Sequence, residues 1–369
     1  MWSIVIPTLL RNKLLLNQLL DQIILIEQYI NIEILLIVDA ASKDINFEIK
    51  KKYEKYLKVI YSDKNGPGLL RNFGLKRALG EYISFFDDDD ELIFKNSTIK
   101  FESDIVLFEF IHSSEVFSNK KLLNIIKNEN LINTKSVCLK AYEIKYIFSY
   151  CQPFAIRRNI LHSNNIKFFD SYIMEDFDFI SQIFSAVYTV SVFDDIKYKY
   201  VSHQNSTKSL TGISIYDSAC TIANRIKKRI GYSNSIDYTK MEYDYAISIK
   251  RFRFIESFDY VISSSEDYLY LNNLIKNTKE LNDLLLIYCY NNTSLKLFNI
   301  LNKKNSYIFD DNIQNSVEKG IKIVSTDEIL NCLRPEMNLQ IFIAHAHPKV
   351  RVKAMQLFDD KFCNFSILN

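Results

Sequence analysis

At 369 residues the chain exceeds what one hydrophobic core ordinarily supports, so two domains, or one large domain with an appendage, are expected. Its 48% hydrophobic and 24% charged residues exclude a disordered protein, and a formal net charge of +2 gives no overall pull towards nucleic acid, so no polynucleotide partner is expected. Six scattered cysteines without a C-x-x-C pair argue against a zinc or redox motif, and the absence of a signal-like start or of an apolar run of roughly 18 to 20 residues points to the cytoplasm.

Along the chain, Ser3-Ile4-Val5-Ile6 reads as a short strand stopped by Pro7, residues 13 to 30 as an amphipathic helix, and Glu33 to Val38 as a second strand ending at Asp39. A charged helix over 46 to 56, a strand from Lys58 to Tyr61, a glycine-rich turn, a helix near 69 to 79 and a strand from Tyr82 to Phe86 complete an alternating pattern. Strands and helices alternating at this length predict an α/β fold whose mostly parallel sheet is covered on both faces. Ligands bind such sheets beyond the carboxyl ends of the strands, where Pro7-Thr8, Asp39 and Asp87 stand.

Further strands are expected at Ile105 to Phe110 and Val187 to Phe193, and residues 216 to 280 read as a helical connector. The last ninety residues read as a smaller Rossmann-like α/β unit, with strands at Leu284 to Tyr288, Tyr307 to Phe309 and Leu339 to Ala344 and a helix at Ser294 to Leu301. Its first turn, Cys289-Tyr290-Asn291-Asn292, lacks the glycines that let a backbone approach a pyrophosphate, so a protein-contact role is favoured over a second nucleotide site. The expected division is 1–215, 216–280 and 281–369.

Only seven glycines occur, yet Gly66, Gly68, Gly74 and Gly80 fall within fifteen residues, between one strand and another that runs into Asp87-Asp88-Asp89-Asp90. Arg71 and Asn72 stand where that turn opens a helix, suited to an anionic or heteroaromatic group. Carboxylates crowded at a strand end repel unless a cation is present. If the run is extended, Asp87 and Asp89 face the same side and leave open positions on Mg²⁺ or Mn²⁺ for diphosphate oxygens. His345 and His347 have no third ligand in view and receive no role.

Taken in order, Ser3 to Thr8, Ile37 to Asp44, Gly66 through Arg71-Asn72-Phe73-Gly74-Leu75 to Ile83, and Phe85-Phe86-Asp87-Asp88-Asp89-Asp90 resemble glycosyltransferase family 2 of the GT-A fold. The likeness is strong over residues 1 to 100 and looser over 150 to 210. It implies that Pro7, Thr8, Asp39, Gly68, Arg71, Asp87 and Asp88 line the donor nucleotide pocket and that Asp87 and Asp89 form a metal-binding D-x-D. Family members usually carry two acidic residues where this chain has Asp39-Ala40, so the residue that often contacts uracil is missing, although a UDP-sugar stays the expected donor. Met174-Glu175-Asp176-Phe177-Asp178 resembles the family's Glu-Asp pair, which makes Asp176 the expected general base of an inverting transfer. Taken without the likeness, the same acidic pair is also what a helix dipole favours at an N-terminus.

Glu175, Tyr200 and His203 are secondary candidates for acceptor contact or a closing loop, with Tyr198 and Ser206 weaker. The implied acceptor is a saccharide or lipid-linked saccharide of a surface polysaccharide or glycoconjugate, reached at the inner membrane face, with the C-terminal unit a candidate for homo-oligomer or partner contact. Two other classes are weighed beside this one. A sugar nucleotidyltransferase would need a glycine loop near residue 10, where Thr8-Leu9-Leu10-Arg11-Asn12 has none, and a nucleotide-sugar-binding scaffold without catalysis would fit Ala40.

Overall fold

The computed structural model describes residues 1–42, 44–45, 50–95, 98–112, 118–201, 213–256, 284–288, 294–295, 298, 306–310, 316–318, 321–332, 339–343 and 365–368. The chain divides into two compact units, Met1–Ser209 with Asn224–Tyr243, and Leu210–Ala223 with Asp244–Asn369.

The first unit is built on strands β1 (Trp2–Thr8), β2 (Ile32–Val38), β3 (Leu57–Tyr61), β4 (Tyr82–Phe85), β5 (Glu91–Phe94), β6 (Ile105–His112), β7 (Phe154–Arg157) and β8 (Val190–Tyr200) in one sheet of order β3-β2-β1-β4-β7-β6-β8-β5. The β3-β2-β1-β4 half is parallel, as the alternation implies, whereas β7 runs antiparallel to both β4 and β6, and β5 antiparallel to β8. Every residue of β1 and of β2 is buried, which requires both faces of the sheet to be covered.

Alternation along each strand sorts the side chains into two cores. Ile4 and Ile6 join Ile34, Leu36 and Val38 on the face that takes Leu16, Leu19, Leu20 and Ile23 of helix α1 (Lys13–Ile24). Val5, Leu35 and Ile37 face the other way, onto Leu70 and Leu75 of α2 (Pro67–Leu75). The same side also holds residues of α3 (Lys120–Asn128), α4 (Thr134–Glu143), α5 (Arg158–Ser163) and α6 (Glu175–Phe184). Ser84 ties three strands together, accepting from Trp2 Nε1 at 2.9 Å and donating to the Phe154 carbonyl at 2.7 Å.

Pro7 does not end β1, contrary to the sequence reading. In a parallel ladder only alternate residues donate to a given neighbour, so a proline is tolerated, and β1 pairs with β2 as far as Thr8 and Val38. The helix expected at 13 to 30 closes as a 3₁₀ turn at Leu25–Gln28, and the one expected at 46 to 56 is a 3₁₀ turn at Lys51–Tyr53, with 46–49 outside the described residues. Strand β8 starts and ends later than the 187 to 193 expected, because after a register shift it continues alongside β6.

Helices α7 (Ile213–Arg229) and α8 (Ile236–Glu256) fall in the stretch read as a connector. The second unit carries β9 (Leu284–Tyr288), β10 (Ser306–Asp310), β11 (Ser316–Glu318), β12 (Ile321–Ser325), α9 (Thr326–Cys332), β13 (Leu339–Ile343) and β14 (Phe365–Leu368), with sheet order β11-β12-β10-β9-β13-β14. All its pairings are parallel except the β11–β12 hairpin. The turn at Cys289–Asn292 and both His345 and His347 lie outside the described residues.

Helix α2 reaches the sheet closely only because position 74 is glycine: a Cβ there would lie 2.3 Å from Val5 Cγ1 and 3.2 Å from Ile37 Cγ1. Gly74→Ala would gain about 1 kcal/mol of helix propensity, but the clash falls on a β-branched side chain inside a strand, which has little rotamer freedom. Overpacking of this kind costs about 1–3 kcal/mol and wins. The expected outcome is a lowered urea midpoint for Gly74→Ala; an unchanged or raised midpoint would show that α2 has room to move.

Candidate functional site

The carboxyl ends of β1, β2 and β4 meet as expected. The Asp39 N–H donates to the Thr8 carbonyl at 2.9 Å, and the Phe86 N–H to the Val5 carbonyl at 3.1 Å. Asp39 then anchors the glycine turn: Oδ1 accepts from the Ala41 N–H and Oδ2 from the Gly66 N–H, both at 2.8 Å. Gly66 has φ +88°, a conformation other residues avoid, and Pro67 behind it starts α2 with a ring already set for a helix. At Gly68 the need for smallness is protein packing, since a Cβ would sit 3.1 Å from the Phe169 carbonyl and 3.2 Å from Glu175 Cγ.

One turn further, Arg71 is 2% exposed and holds three carboxylates. Its Nη2 donates to Asp87 Oδ1 at 2.6 Å, and its Nη1 to Asp176 Oδ1 at 2.6 Å and to Glu175 Oε1 at 3.2 Å. The acidic run after β4 and the acidic pair that opens α6 are therefore one site, though about a hundred residues of chain separate Arg71 from that pair. Glu175 and Asp176 do occupy the first turn of a helix, as dipole placement would have it, but both also face the guanidinium. Met174 enters that helix in the left-handed region at φ +63°, a strained conformation of the kind that collects at functional sites.

The acidic run is not extended. Asp88 and Asp89 form a turn closed by the Asp90 N–H on the Asp87 carbonyl at 3.4 Å, so the period-two argument for Asp87 and Asp89 does not apply. Each member has its own setting. Asp87 Oδ2 accepts from Gln152 Nε2 at 2.7 Å, and Asp88 Oδ2 accepts from the Thr8 hydroxyl. Asp90 is buried, accepting from the Tyr198 hydroxyl at 2.5 Å and the Val201 N–H at 2.7 Å, while the Tyr198 oxygen itself accepts from the Asp87 N–H at 3.0 Å.

Burial raises the proton affinity of three carboxyls here. Burial, with the charges of Asp89 and Asp87, pushes the Asp88 carboxyl up to about 7 against the Thr8 bond. Burial and the Asp176 charge raise Glu175 to about 7, with Arg71 pulling the other way. Asp176 is also raised by burial, less so because of Arg71. Among the described residues no group of three or more His, Cys, Asp or Glu converges on a metal position. The donor set at Asp87 and Asp89 is nevertheless all oxygen, and each Asp87 oxygen accepts one hydrogen bond among the described residues, which suits a hard divalent cation completing its shell elsewhere.

Tyr200 closes β8 with its ring 5.8 Å from that of Tyr150 and 5.1 Å from that of His112. His203 and Ser206 lie outside the described residues. Gln152, which opens the family-like stretch Gln152 to Arg158 ahead of the Glu-Asp pair, and Cys151 received no role from the sequence, yet both reach Asp176, at 3.2 Å and 3.3 Å. The one signal was a polar residue before Pro153, just ahead of the buried strand β7.

The sequence model of glycosyl transferase family 2 matches residues 3–161. The chain is 28% identical over 241 residues to a cholesterol galactosyltransferase of Borreliella burgdorferi, covering 59% of this chain and 66% of that protein. It is 26% identical over 192 residues to the minor teichoic acid biosynthesis protein GgaB of Bacillus subtilis, covering 49% of this chain and 20% of that protein. The chain thus spans less than two thirds of the length of either relative. S. aureus TarS 1-349 in complex with UDP-GlcNAc aligns with a TM-score of 0.48 at 20% identity, over 74% of this chain and 80% of that chain. No helix among the described residues is long and apolar enough to cross a membrane.

Behind the site, α6 is pinned by charge. Asp178, with no exposed surface, accepts from Arg225 Nη2 at 3.0 Å and Arg229 Nη2 at 2.7 Å, and Ser181 donates to Glu242 Oε2 at 2.9 Å. Glu242 Oε1 has no hydrogen-bond partner among the described residues, and burial raises this carboxyl to about 8 despite Ser181 and Arg229. An unfolded glutamate titrates near about 4.3. Between these values the folded chain keeps a proton that the unfolded chain has released, so the stability due to Glu242 is complete below about pH 4.3 and is lost as pH rises to about 8. Urea midpoints of wild type and Glu242→Gln should diverge in the variant's favour as pH rises from about 5 to about 8. A constant difference across that range would mean that Glu242 is ionised and paired.

Proposed function

We propose that the protein, whose residues 3–161 match the sequence model of glycosyl transferase family 2, is an inverting, metal-assisted glycosyltransferase acting on a nucleotide-sugar donor, a UDP-sugar, and a saccharide or lipid-linked saccharide acceptor of a surface glycan. The observation that carries this is the buried Arg71 joining Asp87 to Asp176, which brings an acid-rich diphosphate site next to a carboxylate able to take a proton. The relatives named for cholesterol galactosylation and minor teichoic acid biosynthesis support the surface-glycan setting.

In this reading Pro7, Thr8, Asp39 and the Gly66–Gly68 turn border the nucleotide, with Asp88 and Arg71 beside it. Asp87 and Asp89 would hold Mn²⁺ or Mg²⁺, which would offset negative charge on the departing diphosphate. Asp176 accepts the proton of the acceptor hydroxyl as that oxygen attacks the anomeric carbon from the face opposite the diphosphate, and the bonding electrons leave with the diphosphate. Burial favours this step by raising the proton affinity of Asp176. Glu175, Tyr200 and His203 are the residues assigned to acceptor contact or a closing loop. Residues 281–369 serve packing, self-association or partner contact rather than dinucleotide binding, and the protein works in the cytoplasm or at the inner face of the membrane.

The test is a thermal-shift screen of nucleotide sugars with and without Mn²⁺, followed by transfer assays, because a ligand bound only by the native state raises the melting temperature. Asp89→Asn should abolish transfer with the fold intact, as should excess EDTA on the wild type; full activity in EDTA would remove the metal role. Asp176→Asn should lower kcat by about 10²-fold or more with donor affinity nearly unchanged, the scale general-base catalysis supplies. Equal losses in binding and turnover would instead make Asp176 structural.

A further inference from the structure

Gln152 closes a ring that Arg71 begins. Arg71 donates to Oδ1 of both Asp87 and Asp176, at 2.6 Å each, and Gln152 Nε2 donates to Oδ2 of both, at 2.7 Å and 3.2 Å. The amide comes from a segment 65 residues beyond Asp87 and 24 before Asp176. Gln152 and Pro153 form a turn just ahead of β7, and a residue before proline is disfavoured from the helical region.

The orientation of that amide has a cost. Gln152 is 1% exposed and its Oε1, buried, has no hydrogen-bond partner among the described residues. A buried carbonyl left unpaired is destabilising. The reversed amide would turn an oxygen towards two carboxylates and lose both bonds, so the carboxylates dictate the orientation that exists. A glutamine serving packing alone has no reason to keep its oxygen unpaired.

The ring also makes the two oxygens of Asp176 unequal. Oδ1 takes the short guanidinium bond and lies 3.3 Å from the Cys151 thiol, while Oδ2 carries only the long amide bond. An oxygen in a short charge-assisted bond has given up much of its basicity.

We infer that Gln152 is a positioning residue that ties Asp176 to the acidic run and leaves Oδ2 of Asp176 as the oxygen that takes the acceptor's proton. This rests on the reading of Asp176 as the general base.

Gln152→Leu removes the donor and the unpaired carbonyl together while keeping a similar volume. Its kcat should fall about tenfold or more, the scale of loss a small misplacement causes, with donor KM within about twofold of wild type and no fall in Tm. A kcat within about twofold of wild type, or a lowered Tm with kcat and KM worsening together, overturns the inference, since a packing role predicts one of these. The ring is read separately in the unliganded protein. Tm losses from Asp87→Asn and Asp176→Asn should depart from additivity with Gln152 present and move towards additivity in the Gln152→Leu background; an unaltered departure overturns the bridge. If the wild type transfers sugar from no nucleotide sugar, the glycosyltransferase reading falls, and the melting cycle decides the bridge alone.

Discussion

The burial of one guanidinium governs this site. An arginine withdrawn from water costs several kcal/mol unless matched charges surround it, and Arg71 is matched by Asp87, Asp176 and Glu175 from two distant segments, with the Phe168 ring 5.3 Å from it. Burial alone would loosen its proton; Asp176, Asp87 and Glu175 more than reverse that. Three acids against one base leave a surplus of negative charge, which Asp88, Asp89 and Asp90 enlarge. Burial first, and that surplus second, raise the proton affinities of Asp88 and Glu175.

The opposite balance holds on the same helix only two residues on. Asp178 is met by two arginines, Arg225 and Arg229, and is entirely enclosed. That pairing satisfies its carboxylate and fixes α6 in place. Thus one helix carries a saturated charge site that holds it and an unsaturated one that its first turn presents. Asp176 and Asp178 look alike in the string of letters and differ in what surrounds them.

Local pattern made the strands, the two faces of the sheet and the meeting of strand ends legible, because alternation of Ile4, Val5 and Ile6 has one physical meaning in a doubly covered sheet. Glycine spacing marked the turn that Asp39 anchors. The sequence was silent where pairing is distant. Nothing near Asp90 announces Tyr198, 108 residues away, and nothing near Gln152 announces that its amide meets two carboxylates. The period-two reading of Asp87 to Asp90 failed because the run turns at Asp88 and Asp89, with Asp87, Asp88 and Asp90 each accepting from a different donor.

Consider finally when, during folding, Arg71 becomes buried. Its helix lies within a local β-α-β stretch, but its partners Glu175 and Asp176 lie 104 and 105 residues further on, so their loop must close before the ion pairs form. Non-local closures of this length are slow and come late. Until then the guanidinium is better left in water. Interactions absent from the transition state set the unfolding rate rather than the folding rate. If the pairs of Arg71 with Glu175 and Asp176 form only after the transition state, they act as a kinetic clasp, slowing the opening of the sheet without speeding its assembly.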